Sequence, residues 1–341
     1  MSELIEFLNE AKDLQFSHNL AKDSYATCLF DNSFCVFKSI NNILYLIYAN
    51  ENKSMISYDL NNMKKVNEVK NPHNDYISYF LHYLDKNNKR DLLMTISCYE
   101  NHLKIWNINN WDILANLRKT NDTGYLNSAC FLNEIEHIYI ITSNFNYSSA
   151  EKIKIYDFNG NKIKEINYSN EPTYFIDNYY ESKSSINYII AGNNGYIKSY
   201  NYNENKVYHK YYEIEENNMK AKGHSSIIIS IDDIIKLIES CFDGNIRIWN
   251  FHTGKLLNKI NICKKEWLRG ICLWNKNYLF VGCDDKTIKL VDLNKNKIIK
   301  DLIKSDRDML AIKKIYHYKY GECLLSQGWK DERIKLWIIK K

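Results

Sequence analysis

Nine histidines and nine cysteines are the residues of this chain best suited to ligate a metal or attack a substrate, and their spacing serves neither purpose well. His82, His137, His252 and His317 have no cysteine or second histidine within four positions, so none completes the close pair on which zinc sites are built. His102 follows Cys98 by four residues, a lone pair that straddles a strand and its turn. No C-x-x-C occurs, and an odd cysteine count argues against a fully paired disulfide framework. Cys98, Cys241, Cys272 and Cys283 sit in strand-like runs, where a cysteine is a small buried hydrophobe. The carboxylate pairs Asp232-Asp233 and Asp284-Asp285 fall in turns, and bonding to their own backbone accounts for them without general acid or base work. The phosphate loop G-x-x-x-x-G-K-[ST], the dinucleotide loop G-x-G-x-x-G, the zinc helix H-E-x-x-H and the nucleophile elbow G-x-S-x-G do not occur. The expectation is a protein that is not an enzyme, with no metal site and no cofactor.

Composition narrows the partners. The 341 residues are 45% hydrophobic and 14% aromatic, enough to bury a large core, and the net charge of +5 is too small for a dedicated polyanion binder. Only six of the 46 basic residues are arginine, the forked donor that bases and phosphates favour, so no nucleic-acid partner is expected. Apolar runs such as Ile43 to Ala49 span about seven residues where a bilayer needs roughly 20, and no membrane insertion is expected. Met1 to Glu10 lack the basic and apolar regions of a signal peptide, which points to a cytoplasmic protein. The 27 tyrosines and the scarcity of proline, found only at Pro72 and Pro172, need no functional explanation in a chain biased toward Asn, Lys, Ile and Tyr together.

What must position any site is a repeat. Alternating polar and β-branched residues ending in an aromatic or Val recur seven times: Met55 to Asp59, Leu103 to Asn107, Ile153 to Asp157, Ile197 to Asn201, Ile246 to Asn250, Ile288 to Asp292 and Ile334 to Ile338. Their fourth residues, Tyr58, Trp106, Tyr156, Tyr200, Trp249, Val291 and Trp337, keep a spacing between 42 and 50 residues. Strict alternation marks strands with one buried face. A further short strand follows most copies, at Lys64 to Val69, Asp112 to Leu117, Lys162 to Ile166, Lys255 to Ile260 and Lys297 to Leu302. Ahead of each copy stands an apolar run and a turn, as in Phe242-Asp-Gly-Asn and Asp284-Asp-Lys-Thr, whose residues tolerate positive φ or bond their own backbone. Each period is therefore about four strands.

From about residue 33 onward the chain resembles the WD-repeat β-propeller family. The clearest unit runs Gly223-His224, Ile227 to Ile231, Ser240, Asp243-Gly244 and Trp249-Asn250. The resemblance implies a hydrogen-bonded tetrad of His224, Ser240, Asp243 and Trp249, with a partial copy at His73, Ser97 and Trp106. Asp285 and Asp331 stand six residues before Val291 and Trp337, as Asp243 stands before Trp249. Most copies lack Gly-His, and the closing dipeptide is Trp-Asn where the family has Trp-Asp.

The expected fold is all-β, one seven-bladed propeller of four-stranded antiparallel blades over residues 14–341, closed by an N-terminal strand from residues 14 to 30. Residues 1–13 are expected to be a helical arm, with Leu4, Ile5, Leu8 and Ala11 on one stripe behind a Ser2 cap. In the family the residues flanking the first-strand Val face the partner. The Val-equivalents read here are Ile77, Leu126, Ile228, Leu268 and Met309, and their neighbours Tyr76, Tyr125, Trp267, Arg269 and Asp308, joined by Trp329, form the expected partner-binding ring at the channel mouth. Tyr, Trp and Arg dominate binding hot spots. The implied function is a non-catalytic scaffold or adaptor that holds a protein or peptide partner in a larger complex. The alternatives are a propeller enzyme with an unrecognised site at the channel mouth, or a ubiquitin-ligase substrate receptor, whose Trp-Asp-x-Arg signature is approached only by Trp111-Asp-Ile-Leu.

Overall fold

The computed structural model describes residues 14–21, 32–118, 125–134, 137–145, 152–167, 173–193, 195–213, 223–231, 233–264, 266–304, 308–329 and 333–339. Its strands form seven four-stranded antiparallel sheets. After β1 (Leu14–Ala21), the first sheet holds β2 (Phe34–Lys38), β3 (Leu44–Ala49), β4 (Met55–Asp59) and β5 (Lys64–Val69). The second holds β6 (Tyr79–Asp85), β7 (Arg90–Ser97), β8 (His102–Asn107) and β9 (Asp112–Arg118); the third β10 (Tyr125–Asn133), β11 (Ile138–Phe145), β12 (Ile153–Tyr156) and β13 (Lys162–Ile166). In the fourth are β14 (Thr173–Glu181), β15 (Ile186–Asn193), β16 (Tyr196–Asn201) and β17 (Lys206–Tyr211), and in the fifth β18 (Gly223–Ile231), β19 (Ile234–Cys241), β20 (Asn245–Asn250) and β21 (Leu256–Asn261). The sixth comprises β22 (Leu268–Asn275), β23 (Tyr278–Cys283), β24 (Thr287–Asp292) and β25 (Lys297–Lys304). The seventh is ordered β1-β28-β27-β26, from β26 (Met309–His317), β27 (Gly321–Gly328) and β28 (Ile334–Ile339).

Alternation sets these elements. The aliphatic residues of second and third strands, such as Leu93, Ile105, Ile238 and Ile248, are buried between neighbouring sheets, whereas the outer strand β5 is exposed or half-buried throughout. Each fully buried Leu or Ile contributes about 1.5–3 kcal/mol. Three of the aromatics that close the repeat, Trp106, Tyr200 and Trp249, are buried against adjacent blades, and Tyr58, Tyr156 and Trp337 are half-buried. One cluster joins Phe34, Leu44 and Leu46 of the first blade to Ala311, Ile315 and Leu325 of the seventh. Turns obey the same logic. Gly244 adopts φ +80°, and a Cβ there would lie 1.8 Å from the Cys263 carbonyl oxygen, which is why the Asp-Gly turn admits no larger residue.

In the seventh sheet β1 lies antiparallel to β28, with Leu14 opposite Ile339 and Ala21 opposite Ile334. That this pairing holds the ring shut is a proposal, tested by the truncation in the Discussion. The helical arm expected over residues 1–13 lies outside the described residues, as do residues 22–31 and Asp331. The first-strand register corrects one position: Gly223 opposes Cys241 as Leu268 opposes Cys283, so Gly223 takes the place expected for Ile228.

Candidate functional site

Successive strands run in opposite directions, so the start of each first strand and each connection from second to third strand lie at the same end of the blades. This gathers most of the expected ring on one face. Tyr125, at the start of β10, is 52% exposed and meets the ring of Tyr99 edge-on at 6.0 Å. Trp267, just before β22, is 41% exposed and stacks on Phe242 at 4.5 Å and 19°. Tyr76 is half-buried under the Lys53 ammonium, 5.1 Å from its ring, and Lys53 also pairs with Asp75 at 3.3 Å. Asp308 is half-buried and accepts the Trp329 N–H through its carbonyl at 2.8 Å, while the Trp329 ring packs on the core between the first and seventh blades.

Arg269 departs from the ring. It is 3% exposed and donates through Nε and Nη2 to the Asp284 carboxylate at 2.6 and 2.8 Å, with its guanidinium 5.0 Å from the Trp267 ring. It is placed to hold Trp267 and the turn before β24, with little surface left to offer a partner. Tyr99 and Phe242 escaped the sequence reading because they sit in second-to-third connections rather than beside first strands. The signal was available, since those connections share the face.

The internal hydrogen-bonded chain exists with a different member. In the second blade His73 Nε2 lies 2.9 Å from Thr95 Oγ1, and the Trp106 indole N–H donates to the same oxygen at 2.9 Å. Thr95, and not Ser97, is the central residue; the Ser97 hydroxyl is buried without a partner. Thr95 stands two residues beyond Leu93, the cross-strand neighbour of Trp106. By the same register Trp337, opposite Leu324, donates to Ser326 at 2.8 Å. In the fifth blade this position is Glu239, not Ser240, because Trp249 opposes Leu237. The Ser240 hydroxyl instead donates to the Arg269 carbonyl of the next blade at 2.9 Å. Asp243 receives Arg247 through Nη1 and Nη2 at 3.2 and 2.7 Å, where the resemblance implied a histidine. The His224 side chain lies outside the described residues.

Glu239 is therefore a buried carboxyl in a slot that Thr95 fills in the second blade and Ser326 in the seventh. Trp249 Nε1 faces it without closing a hydrogen bond, Glu239 Oε2 is unpartnered, and burial pushes its pKa up to about 7 against partial relief from the Cys241 thiol and Arg247. Between about pH 4.5 and 7 the folded chain holds a proton that the unfolded chain has lost, so stability should fall as pH rises across that window. Glu239→Gln should remove the slope and stabilise the protein above pH 7 by roughly 3 kcal/mol. Denaturant titrations at pH 5 and 8 decide it; a variant no more stable than the native chain at pH 8 refutes the assignment.

The axial channel holds a cavity of about 340 Å³ whose lining mixes apolar side chains such as Leu81, Ile227 and Ile312 with Asn127, Ser226, one carboxyl, Asp177, and one ammonium, Lys313. Asp177 is exposed to the cavity, and desolvation within the channel raises its pKa to about 6, while the Asn178 N–H and the Lys313 charge oppose it. Lys313 Nζ donates to Asn32 Oδ1 at 3.0 Å. Of the cysteines read as core residues, Cys241, Cys272 and Cys283 are buried and form no disulfide, and the Cys98 side chain lies outside the described residues. Among the described residues no helix is long and apolar enough to cross a membrane.

No family model matches the chain, and no curated protein does. Among solved structures, BBS1N, crystallised in complex with ARL6DN, is similar to this chain with a TM-score of 0.69 at 10% identity, over 96% of this chain and 97% of that one. The architecture is widely shared, with 1629 solved chains matching, so the likeness shows a seven-bladed β-propeller and names no partner.

Proposed function

We propose that this propeller is a non-catalytic interaction scaffold of the WD-repeat type, and that a protein or peptide partner docks on the face bearing Tyr76, Tyr99, Tyr125, Phe242 and Trp267. The observation that carries the reading is two aromatic pairs at one end of the blades, Tyr99 edge-on to Tyr125, both exposed, and the exposed Trp267 stacked on the half-buried Phe242. Aromatic rings held in fixed pairs offer large contact area while losing little side-chain entropy on binding, which is what hot spots require. The His73, Thr95 and Trp106 chain supports the WD-repeat part of the reading, and the solution of BBS1N in a protein complex supports the binding part.

The test is affinity capture with identified partners, followed by binding measurements. Trp267→Ala and Tyr125→Ala should each weaken capture by about 30-fold, equivalent to about 2 kcal/mol, with an unchanged melting temperature. Lys297→Ala with Lys300→Ala, on the outer strand β25, should leave it intact. Equal loss in the β25 variant would place the partner on the rim of the disk.

A further inference from the structure

We propose that His73, Glu100 and His102 form a binding site for one divalent transition-metal ion of the zinc class. One donor atom from each residue lies within 4.8 Å of the other two. His73 is only 2% exposed, and its Nδ1 has no hydrogen-bond partner, an arrangement a buried imidazole tolerates poorly unless something occupies that nitrogen. Its other nitrogen is engaged by Thr95, which fixes the ring, as the outer partners of metal-bound histidines do.

The other two residues are likewise oriented. Glu100 accepts the Asn74 backbone N–H through Oε2 at 2.9 Å, and His102 Nε2 contacts Asn116 Oδ1. The two imidazoles stand edge-on, 5.0 Å apart at 85°. Zinc holds its ligands at about 2.0–2.2 Å, so tetrahedral donors lie about 3.4 Å from one another. Closing the site therefore asks for movements of little more than 1 Å from two partly exposed side chains, one of them in the turn of Cys98–Glu100. Two imidazoles and one carboxylate suit zinc or cobalt rather than calcium or magnesium, which take all-oxygen shells, and three protein ligands leave a fourth position open.

Charge is compatible. Lys104 is held by the Pro72 carbonyl. The second cluster of donors, Cys263, Cys283 and Asp285, is poorer: Lys289 already occupies Asp285 at 3.1 Å, and the Cys263 thiol donates to the same carboxylate oxygen at 3.2 Å. A metal on His73 would pin the segment ahead of β6 to the turn bearing Tyr99, the same face on which Tyr76 lies.

The experiment uses the full chain after chelation. Zinc is titrated by calorimetry and cobalt by its visible ligand-field absorption. One equivalent should bind, and zinc should raise the melting temperature because the unfolded chain lacks the site. His102→Ala and Glu100→Gln, at partly exposed positions, should fold, weaken zinc by about 100-fold or more, and lose the thermal shift. Absence of stoichiometric binding up to millimolar zinc overturns the proposal. So does binding that survives His102→Ala, or that is abolished by Cys283→Ser in its place.

Discussion

Removal of residues 1–21 is expected to lower the melting temperature by on the order of 10 °C, the largest effect of any truncation of comparable length. β1 covers the outer edge of β28, and without it a row of backbone donors and acceptors is open to water and to other chains. Leu20 is buried in the cluster that joins the first and seventh blades, alongside Phe34, Ile315, Ile334 and Leu336. The truncation therefore removes Leu20 from the cluster where the first and seventh blades meet, and the packing on both sides of it is weakened. Truncation after residue 13, which keeps β1, is the control and should melt like the full chain. Thermal denaturation followed by circular dichroism measures both. Equal melting of the full chain and the chain lacking residues 1–21 would show that β1 does not hold the ring.

Arg269→Ala is the second large effect, and it separates support from recognition. Arg269 and Asp284 form a two-pronged pair in which the guanidinium is 3% exposed. Removing one partner leaves the Asp284 charge largely buried and uncompensated, and such losses cost about 3–5 kcal/mol. Trp267 also loses the cation 5.0 Å from its ring. The double variant Arg269→Ala with Asp284→Asn should recover part of the loss, because the stranded charge is gone. Chemical denaturation of the two variants gives the comparison. An Arg269→Ala protein of native stability that fails to capture its partner would return Arg269 to the binding ring.

The sequence reading and the structure part company at identifiable residues. Outer strands at Lys64–Val69 and Lys162–Ile166 were legible to the residue, since a run bounded by turn residues on both sides leaves little choice of limits. The face proposed for docking was legible in outline, through Tyr125 and Trp267, which lie exposed at the same end of the blades. Its second halves, Tyr99 and Phe242, became visible only when the connections were brought beside the first strands. Thr95 and Ser97 share one face of β7, so alternation could not choose between them; only the pairing of Leu93 with Trp106 places the hydroxyl under the indole. Ser240 lies on the opposite face from Glu239, and a one-residue slip there turned a buried carboxyl into an expected hydroxyl.

What the amino-acid sequence determined by itself was the all-β class, the four-strand period and the seven blades. Those follow from local facts, the alternation of apolar residues and the residues that turn the chain, and local facts survive without knowledge of neighbours. The tertiary structure decided which polar groups meet. His102, read as a neighbour of Cys98, stands against His73, and Arg269, read as a hand held out to a partner, is clasped by Asp284. Such pairings depend on the register between strands and on the packing of one blade against the next, distances that no single stretch of sequence contains.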